Sequence, residues 1–181
     1  MKKMKKILNV GCGAQTYGTD FVDLYPQRPE VKKCNIDEEP LPYKDGTFDV
    51  VYSKNVFEHL TKPGFALREM ARVLKKGGKL ILITDNANYW VWGVGKTHLG
   101  GYEKNPEGGE EDRHYALFTE WHLRNHLEKV GLKVVKIEYL EEEFLHKTFL
   151  GRIIKSIINS ILRKTKFRRM GYARIKIIGR K

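Results

Sequence analysis

A short glycine motif near the start of the chain limits the available folds most strongly. The run "ILNVGCGAQTYGTDFVDLYP", Ile7 to Pro26, places Gly11 and Gly13 after one hydrophobic segment and Asp23 after a second. This is the outline of a nucleotide-binding βαβ unit, in which glycines allow close backbone approach and a carboxylate binds ribose hydroxyls. The usual interval between the first glycine and that carboxylate is about 20 residues. Here the interval is much shorter and the third glycine is missing, so the motif does not predict a standard dinucleotide site.

Strand-like and helical patterns alternate along the chain, as is typical of an α/β protein with a parallel sheet. Strand patterns lie at 6–10, 19–24, 48–53, 79–84, 132–140 and 173–181, and helical patterns lie at 63–78 and 119–131. A polar and aromatic stretch from 85 to 118 separates two of them; loops of this length are usually functional lids or disordered. A length of 181 residues suits one domain, so we interpret 1–181 as a single α/β domain.

The positive charge of the chain is concentrated at its end. The net charge is +12, and the segment from Phe144 to Lys181 contains twelve Lys and Arg residues but no Asp or Glu. Such asymmetry indicates an anionic partner, either nucleic acid or a membrane surface. The two cysteines, Cys12 and Cys34, are too few for a disulfide framework or a structural zinc site, so a reducing, cytoplasmic setting is expected.

The order of the motifs resembles that of the class I S-adenosylmethionine-dependent methyltransferases, and is most similar to their small-molecule-type domains. The segments that carry the resemblance are "LNVGCGA", "VDLYP", "NIDEEPLPYKDGTFDVVYSKNVFEHL" and "LREMARVLKKGGKLILIT". The resemblance implies a Rossmann-like seven-stranded sheet of order 3-2-1-4-5-7-6, with strand seven antiparallel. The first helix would be almost absent between Gly13 and Asp20. The ligand would lie outside the carboxyl ends of strands one, two and four.

The resemblance also implies a cofactor, S-adenosylmethionine, and a set of residues that bind it. Because this ligand has no pyrophosphate, it does not demand a third glycine. Gly11 and Gly13 would approach the methionine portion, Asp23 would accept hydrogen bonds from the ribose hydroxyls, and Asp37 would reach the adenine amino group. The full predicted set is Asn9, Gly11, Cys12, Gly13, Asp23, Leu24, Ile36, Asp37, Ser53 and Asn55. Within it, Cys12 is interpreted as a small apolar filler, not a reactive thiol.

Three residues are candidates for catalysis. Methyl transfer to a hydroxyl needs a general base within hydrogen-bond reach, and Glu58, His59 and His114 are the candidates, with Asp85 in the same long polar stretch as His114. Some quinone-pathway O-methyltransferases of the family hold a divalent metal with an acidic residue and a Glu-His pair at this point. The first of those positions is Asn55 here, so no metal is predicted.

A basic amphipathic helix is predicted between strands six and seven, within residues 143–170. Its apolar residues run from Phe149 to Leu162 and cover a wider arc than the stripe of a little over about 100° that one packed face needs. Charges inside the run make a membrane span a poor fit, whereas a helix lying in an anionic membrane surface through 144–169 fits better. A helix buried by its own domain or by a dimer partner stays open, and nucleic-acid binding is less natural.

Several functions are therefore open. The first is a methyltransferase acting on a small or lipid-linked acceptor, cytoplasmic or peripheral to a membrane. The alternatives are an RNA methyltransferase that uses the basic end of the chain and a non-catalytic module that binds adenosylmethionine; a nicotinamide oxidoreductase is a distant fourth. The oligomeric state, monomer or homodimer, is left open.

Overall fold

The computed structural model describes residues 4–93, 113–141 and 149–181. Seven strands form one sheet: β1 Ile7–Val10, β2 Asp20–Asp23, β3 Val31–Lys33, β4 Phe48–Lys54, β5 Leu74–Asp85, β6 Lys133–Leu140 and β7 Arg174–Arg180. Three α-helices accompany it: α1 Pro63–Val73, α2 Glu120–Lys129 and α3 Phe149–Arg163. Short 3-10 turns occupy Phe57–His59, Trp90–Gly93 and Arg168–Gly171.

The sheet confirms the predicted topology. Its order is β3-β2-β1-β4-β5-β7-β6, with β7 antiparallel to both β5 and β6 and the other pairs parallel. Residues 11–19, which join β1 to β2, contain turns and bends but no helix, as expected. α3 lies between β6 and β7, where the inserted helix was predicted. Residues 142–148 of that insertion, and 94–112 of the long polar stretch, lie outside the described residues.

The connection between α1 and β5 differs from the prediction. The helical pattern was expected to continue to Gly77 and Gly78, but α1 ends at Val73, and β5 begins at Leu74, which pairs with Phe48. The register then shifts, so that Lys79 is the next paired residue of β5 after Leu74. Gly77 has a φ of +79°, a conformation that favours glycine, and it closes this bulged start of the strand.

Packing is concentrated on one face of the sheet. Leu8, Val51, Leu80 and Ile177 are fully buried there, in a cluster that also contains buried residues of α1 and α2. α2 begins at the predicted cap: the side chain of Thr119 accepts from the His122 amide, and the His122 side chain completes a capping box.

The opposite face of the sheet is less covered. It carries the register partners Phe21, Tyr52, Ile81 and Ile178, all partly exposed. The loop after β1 lays the ring of Tyr17 4.8 Å from that of Tyr52 and so supplies part of the cover that a helix would give. Within the described parts of the chain, no helix is both long and apolar enough to cross a bilayer.

Candidate functional site

The main cavity opens at the carboxyl ends of the central strands. Its volume is about 780 Å³, within the range of small-molecule sites. β1 neighbours both β2 and β4, so the cavity lies at the point where the strand order reverses, the usual ligand position in open α/β sheets. Eight of the predicted residues line it: Gly11, Gly13, Asp23, Leu24, Ile36, Asp37, Asn55 and His59.

Gly11 occupies a position that admits no side chain. Its φ is +66°, and a Cβ there would lie 2.2 Å from Cγ2 of Val56, in the loop after β4. The loops after β1 and β4 are therefore in close contact at this point. Gly13 is different, since its φ is +48° but a Cβ would meet nothing within 4 Å. At Gly11 both the positive φ and the contact with Val56 exclude a side chain. At Gly13 only the positive φ favours glycine.

Asp23 ends β2 with its carboxylate held by two backbone amides. Oδ2 accepts from the Gly13 amide at 2.7 Å, and Oδ1 accepts from the Tyr25 amide at 2.8 Å. These bonds join the glycine loop to β2 and fix the direction of the carboxylate. Each carboxylate oxygen offers about two acceptor positions, so the group retains capacity for two hydroxyl donors from a ligand.

Asn55 follows β4 in a left-handed conformation. Its φ of +57° is unique among the described non-glycine residues, and such positions occur at sites where the surroundings impose them. The side-chain oxygen of Asn55 is buried and has no hydrogen-bond partner in the structure. A buried acceptor without a donor is costly, and it lies on a residue that lines the cavity.

Ile36 and Asp37 lie on the cavity wall, but the Asp37 carboxylate is engaged in holding the chain before α1. Oδ2 accepts from the Thr61 amide at 3.0 Å and from its hydroxyl at 2.5 Å, while Oδ1 accepts from the Lys62 amide at 2.6 Å. Burial raises the pKa of Asp37, but these bonds outweigh it, so the net shift of the pKa is downward. The predicted contact with an adenine amino group would have to use the remaining acceptor positions.

Three predicted cofactor residues lie beneath the cavity, not on its wall. Asn9, Cys12 and Ser53 are fully buried. Asn9 donates to the Tyr17 carbonyl at 2.9 Å, while its own oxygen and the Ser53 hydroxyl lack partners. Burial raises the pKa of the Cys12 thiol, with the Asp23 charge adding to the effect, which agrees with the interpretation of Cys12 as a small apolar filler.

His59 lines the cavity, and His114, which is not among the lining residues, contacts the His59 ring. Their rings are 4.7 Å apart in an edge-to-face arrangement, and His114 Nδ1 lies 3.5 Å from Oδ2 of Asp85, at the end of β5. His59 Nδ1 lies 3.0 Å from the carbonyl oxygen of Arg113. A carbonyl only accepts, so in the neutral ring Nδ1 carries the proton and Nε2 is the acceptor nitrogen.

Glu58 is not on the cavity wall. It is 2% exposed, its carboxylate accepts from the Thr84 hydroxyl at 2.7 Å, and its backbone carbonyl accepts from the Tyr115 amide. Burial raises the pKa of Glu58 above its ordinary value. Its position suits a buried structural acid that anchors the segment carrying His114 and Tyr115. Because Glu58 does not line the cavity, the structure offers no contact that supports the predicted catalytic role.

The sequence analysis missed several residues of the cavity wall. Asn35, Tyr25, Val56, Thr61 and Tyr115 all line it. Asn35 accepts from the Asp37 amide at 3.2 Å, a local turn that an Asn two residues before an Asp could have indicated. Tyr115 could not have been placed, because it comes from the far end of the long polar stretch. Among the described residues, no three His, Cys, Asp or Glu side chains are grouped to hold a metal ion.

Comparison with known proteins agrees with this geometry. Residues 8–82 match the family model described as a methyltransferase domain. The tocopherol O-methyltransferase of Arabidopsis thaliana is 27% identical over 107 residues, covering 46% of this chain and 31% of that protein. A sterol 4-C-methyltransferase of Caenorhabditis elegans is 25% identical over 173 residues, covering 78% of this chain and 48% of that protein. The chain thus spans about a third to a half of these relatives.

A solved structure shows the same fold over nearly the whole chain. The S-adenosylmethionine-dependent methyltransferase from Archaeoglobus fulgidus superposes with a TM-score of 0.66 at 17% identity, covering 99% of this chain and 87% of that one. Together these matches and the strand order show the fold of the class I S-adenosylmethionine-dependent methyltransferases and support that family for this chain. The cofactor that this family implies is S-adenosylmethionine.

The residues present fit that cofactor. Asp23 directs a carboxylate with free acceptor capacity into the cavity, as a ribose diol requires. The unpartnered oxygen of Asn55 provides a second acceptor on the same wall, suited to an ammonium or other donor group. Gly13 leaves open space where a side chain would intrude.

Proposed function

We propose that this protein is an S-adenosylmethionine-dependent methyltransferase whose acceptor is a small or lipid-linked molecule bearing a hydroxyl group. The observation that carries the proposal is the position of His59. It lines the same cavity as Gly11, Asp23 and Asn55, and the geometry at Arg113 leaves Nε2 as its acceptor nitrogen. A cofactor-binding wall and a candidate general base thus share one cavity.

The cofactor supplies an activated methyl group on a cationic sulfur. The chain's contribution is first to position the reactants, because in-line transfer depends strongly on geometry. The bonds from the Gly13 and Tyr25 amides hold Asp23 in one orientation. The close approach of Gly11 to Val56 fixes the loops after β1 and β4 relative to each other. Both reduce the reorganisation needed when ligand binds.

His59 would accept the hydroxyl proton at Nε2, and its ring is held by two neighbouring groups. The Nδ1–H of His59 donates to the Arg113 carbonyl, which holds the ring in place. The ring of His114 lies against that of His59, and the Asp85 carboxylate lies beyond it. The Arg113 carbonyl and the His114 ring limit the orientations open to the His59 ring.

The acceptor class is supported by the relatives and by the shape of the site. The two relatives are named for O-methylation of tocopherol and for 4-C-methylation of a sterol, so their names support a largely apolar acceptor, while the hydroxyl group is proposed from His59. Tyr115, 55% exposed, forms part of the cavity wall beside His59 and offers an aromatic surface to an apolar acceptor.

Two measurements on the intact chain test the proposal. Calorimetry with S-adenosylmethionine should show one site, and mass spectrometry should detect a methylated product from a panel of phenolic and isoprenoid-linked alcohols. The demethylated cofactor should accumulate in step with that product. Binding without turnover on any acceptor would favour a non-catalytic binding module, and absence of binding would contradict the proposal as a whole.

A further inference from the structure

α3 is oriented opposite to an ordinary surface helix. Such a helix buries its apolar stripe and exposes its polar residues. Here the face that packs on the domain includes Lys155, Asn159 and Arg163, whereas the isoleucines at 153, 154, 157 and 161 are 41%, 50%, 53% and 59% exposed. The outward face is therefore mostly isoleucine.

Specific contacts hold the helix in this orientation. Asn159, 7% exposed, accepts from the Trp90 indole at 2.7 Å. The ammonium group of Lys155 lies 5.4 Å from the centre of the Tyr89 ring. Arg163 donates to the Gly171 carbonyl at 3.0 Å, and Gly171 approaches α3 so closely that a Cβ would lie 2.9 Å from the Asn159 carbonyl. Rolling the isoleucines inward would break all of these contacts.

Cations follow the exposed isoleucines in the chain, and Phe167 lies among these cations. Lys164, Lys166 and Arg168 are exposed, and Phe167 is 51% exposed. No Asp or Glu occurs from residue 149 to the end of the sequence. We define the α3 surface as Ile153, Ile154, Ile157, Ile161, Phe167 and these three cations.

We propose that the α3 surface docks the protein onto an anionic lipid membrane. Isoleucine and phenylalanine side chains would enter the boundary between headgroups and acyl chains, as they do for amphipathic helices that lie in the interface. The cations would face anionic headgroups, and each basic residue near such a surface adds to the attraction. An anionic membrane thus complements both the apolar and the basic parts of the α3 surface.

Charge argues against a second copy of the chain as the occupant. In a two-fold contact the same surface meets itself. The residues that define the α3 surface include three cations and no carboxylate, and the exposed carboxylate of nearby Glu141 is already paired with Arg163, so self-association would bring like charges together. A lipid surface supplies the missing negative charge.

The position of the surface in the fold connects it to the cavity. α3 contacts Trp90, which follows the carboxyl end of β5, and Trp92 of the same 3-10 turn has its ring 6.3 Å from that of His114. The docking surface and the candidate base therefore lie at the same edge of the sheet. A membrane held there would present lipid-linked acceptors from the side of His59 and His114. Docking itself is independent of the proposed function, and only this last consequence rests on it.

Vesicle sedimentation with the intact chain tests the proposal. The wild-type chain should sediment with vesicles of mixed phosphatidylglycerol and phosphatidylcholine, and much less with phosphatidylcholine alone. Ile157→Ser combined with Ile161→Ser should lower the vesicle partition coefficient about tenfold or more, given the contribution of each buried apolar side chain. Val135→Ser, at a position on β6 that is 49% exposed, is the matched control and should change nothing.

A series of charge variants distinguishes binding to anionic lipid from nonspecific hydrophobic adsorption. K164Q/K166Q/R168Q should weaken binding severalfold and flatten its dependence on salt. K76Q/K79Q/K129Q removes the same charge from exposed positions elsewhere and should have little effect. Melting temperatures close to wild type confirm that each variant is folded. The proposal is overturned if the wild type fails to bind anionic vesicles at low salt, or if the isoleucine variant binds as the wild type does. It is also overturned if light scattering shows that the wild type is a dimer and the isoleucine variant a monomer, while lipid affinity is the same for both.

Discussion

The Nδ1 atom of His59 lies 3.0 Å from the carbonyl oxygen of Arg113, a residue 54 positions later in the chain. This contact assigns the proton of the neutral ring to Nδ1 and leaves Nε2 to accept a proton. A general base contributes typically about 10²–10⁴-fold to a rate. His59→Ala should therefore lower turnover by about that factor and leave cofactor affinity unchanged in calorimetry.

His122→Gln provides the control for this experiment. His122 is an exposed histidine of α2, and glutamine can keep its capping-box role. Turnover of this variant should match the wild type. Equal turnover for His59→Ala would place the base elsewhere and leave His59 with a structural role.

Asp23 should carry much of the cofactor affinity. Asp23→Asn removes a charged acceptor directed at the ribose position and should weaken binding by about 2–4 kcal/mol in calorimetry, since charged hydrogen bonds are the stronger ones. Asp20→Asn changes the other carboxylate of β2, which does not line the cavity, and should retain affinity. Unchanged affinity in Asp23→Asn would remove Asp23 from the site.

The two glycines of the motif should differ in their tolerance of alanine. Gly11→Ala combines a positive φ with a steric clash against Val56 and should lower the free energy of unfolding by about 2–4 kcal/mol. Gly13→Ala meets no neighbour and should cost only about 1–2 kcal/mol, from backbone strain.

The double variant Gly11→Ala with Val56→Ala isolates the clash. It should be more stable than the sum of the two single changes predicts, because the second substitution removes the atoms that the first one meets. Denaturant unfolding measures all four chains. Strict additivity would mean that the loops after β1 and β4 are not in contact.

Glu58 should make the domain less stable as the pH rises. Because its pKa in the folded chain is raised, the folded state binds the proton more tightly than the unfolded state does. Its contribution is complete below the unfolded pKa of about 4.3 and is lost as the pH rises through the raised folded value. Glu58→Gln removes this loss, so at neutral pH it should raise the melting temperature by a few degrees, at about 2–4 °C for each 1 kcal/mol.

The gain from Glu58→Gln should disappear near pH 4, where the wild-type carboxyl is protonated in both states. The exposed Glu128→Gln is the comparison and should show no such pH-dependent gain. If Glu58→Gln were instead destabilised at neutral pH, an ionised Glu58 paired with its surroundings would be indicated.

Asp37 should show the opposite pH dependence. Its folded pKa is lowered, chiefly through bonds from Thr61 and Lys62 that outweigh burial. Its stabilising contribution is present above the unfolded pKa of about 3.9 and is lost as the pH falls through the folded value. Asp37→Asn should lower the melting temperature at pH 7, and the difference should shrink on acidification. Calorimetry on the same variant tests the predicted adenine contact separately.

The sequence predicted the sheet better than it predicted the side chains of the site. Strand order was implied by the family resemblance, and the missing first helix and the placement of α3 were read from the sequence; all are confirmed. Glu58 was predicted to be catalytic, but it is buried while its neighbour His59 lines the cavity, a difference that arises within one short 3-10 turn. Asp37 has its hydrogen-bond partners 24 and 25 residues away, which no local pattern reveals.

The orientation of α3 was equally beyond local prediction. A helical wheel gives the width of an apolar arc but not which side of the helix the domain covers. That choice is made by Trp90 and Tyr89, which are remote in sequence from the helix residues that they contact, together with Gly171, eight residues after Arg163.

The two halves of the sheet should open locally to solvent at different rates, because helices cover them unevenly. Buried residues of α1 and α2 pack on one face of the sheet, whereas among the described residues β1 and β2 are joined by the helix-free loop 11–19. Amide hydrogens of β1, β2 and β3 should therefore exchange with solvent through small local openings, well before those of β5 and β7. The main cavity lies on this weaker half, so a bound ligand would slow exchange there most and lengthen the lifetime of the chain against proteases. In such a domain, ligand binding supplies part of the free energy that stabilises the folded state.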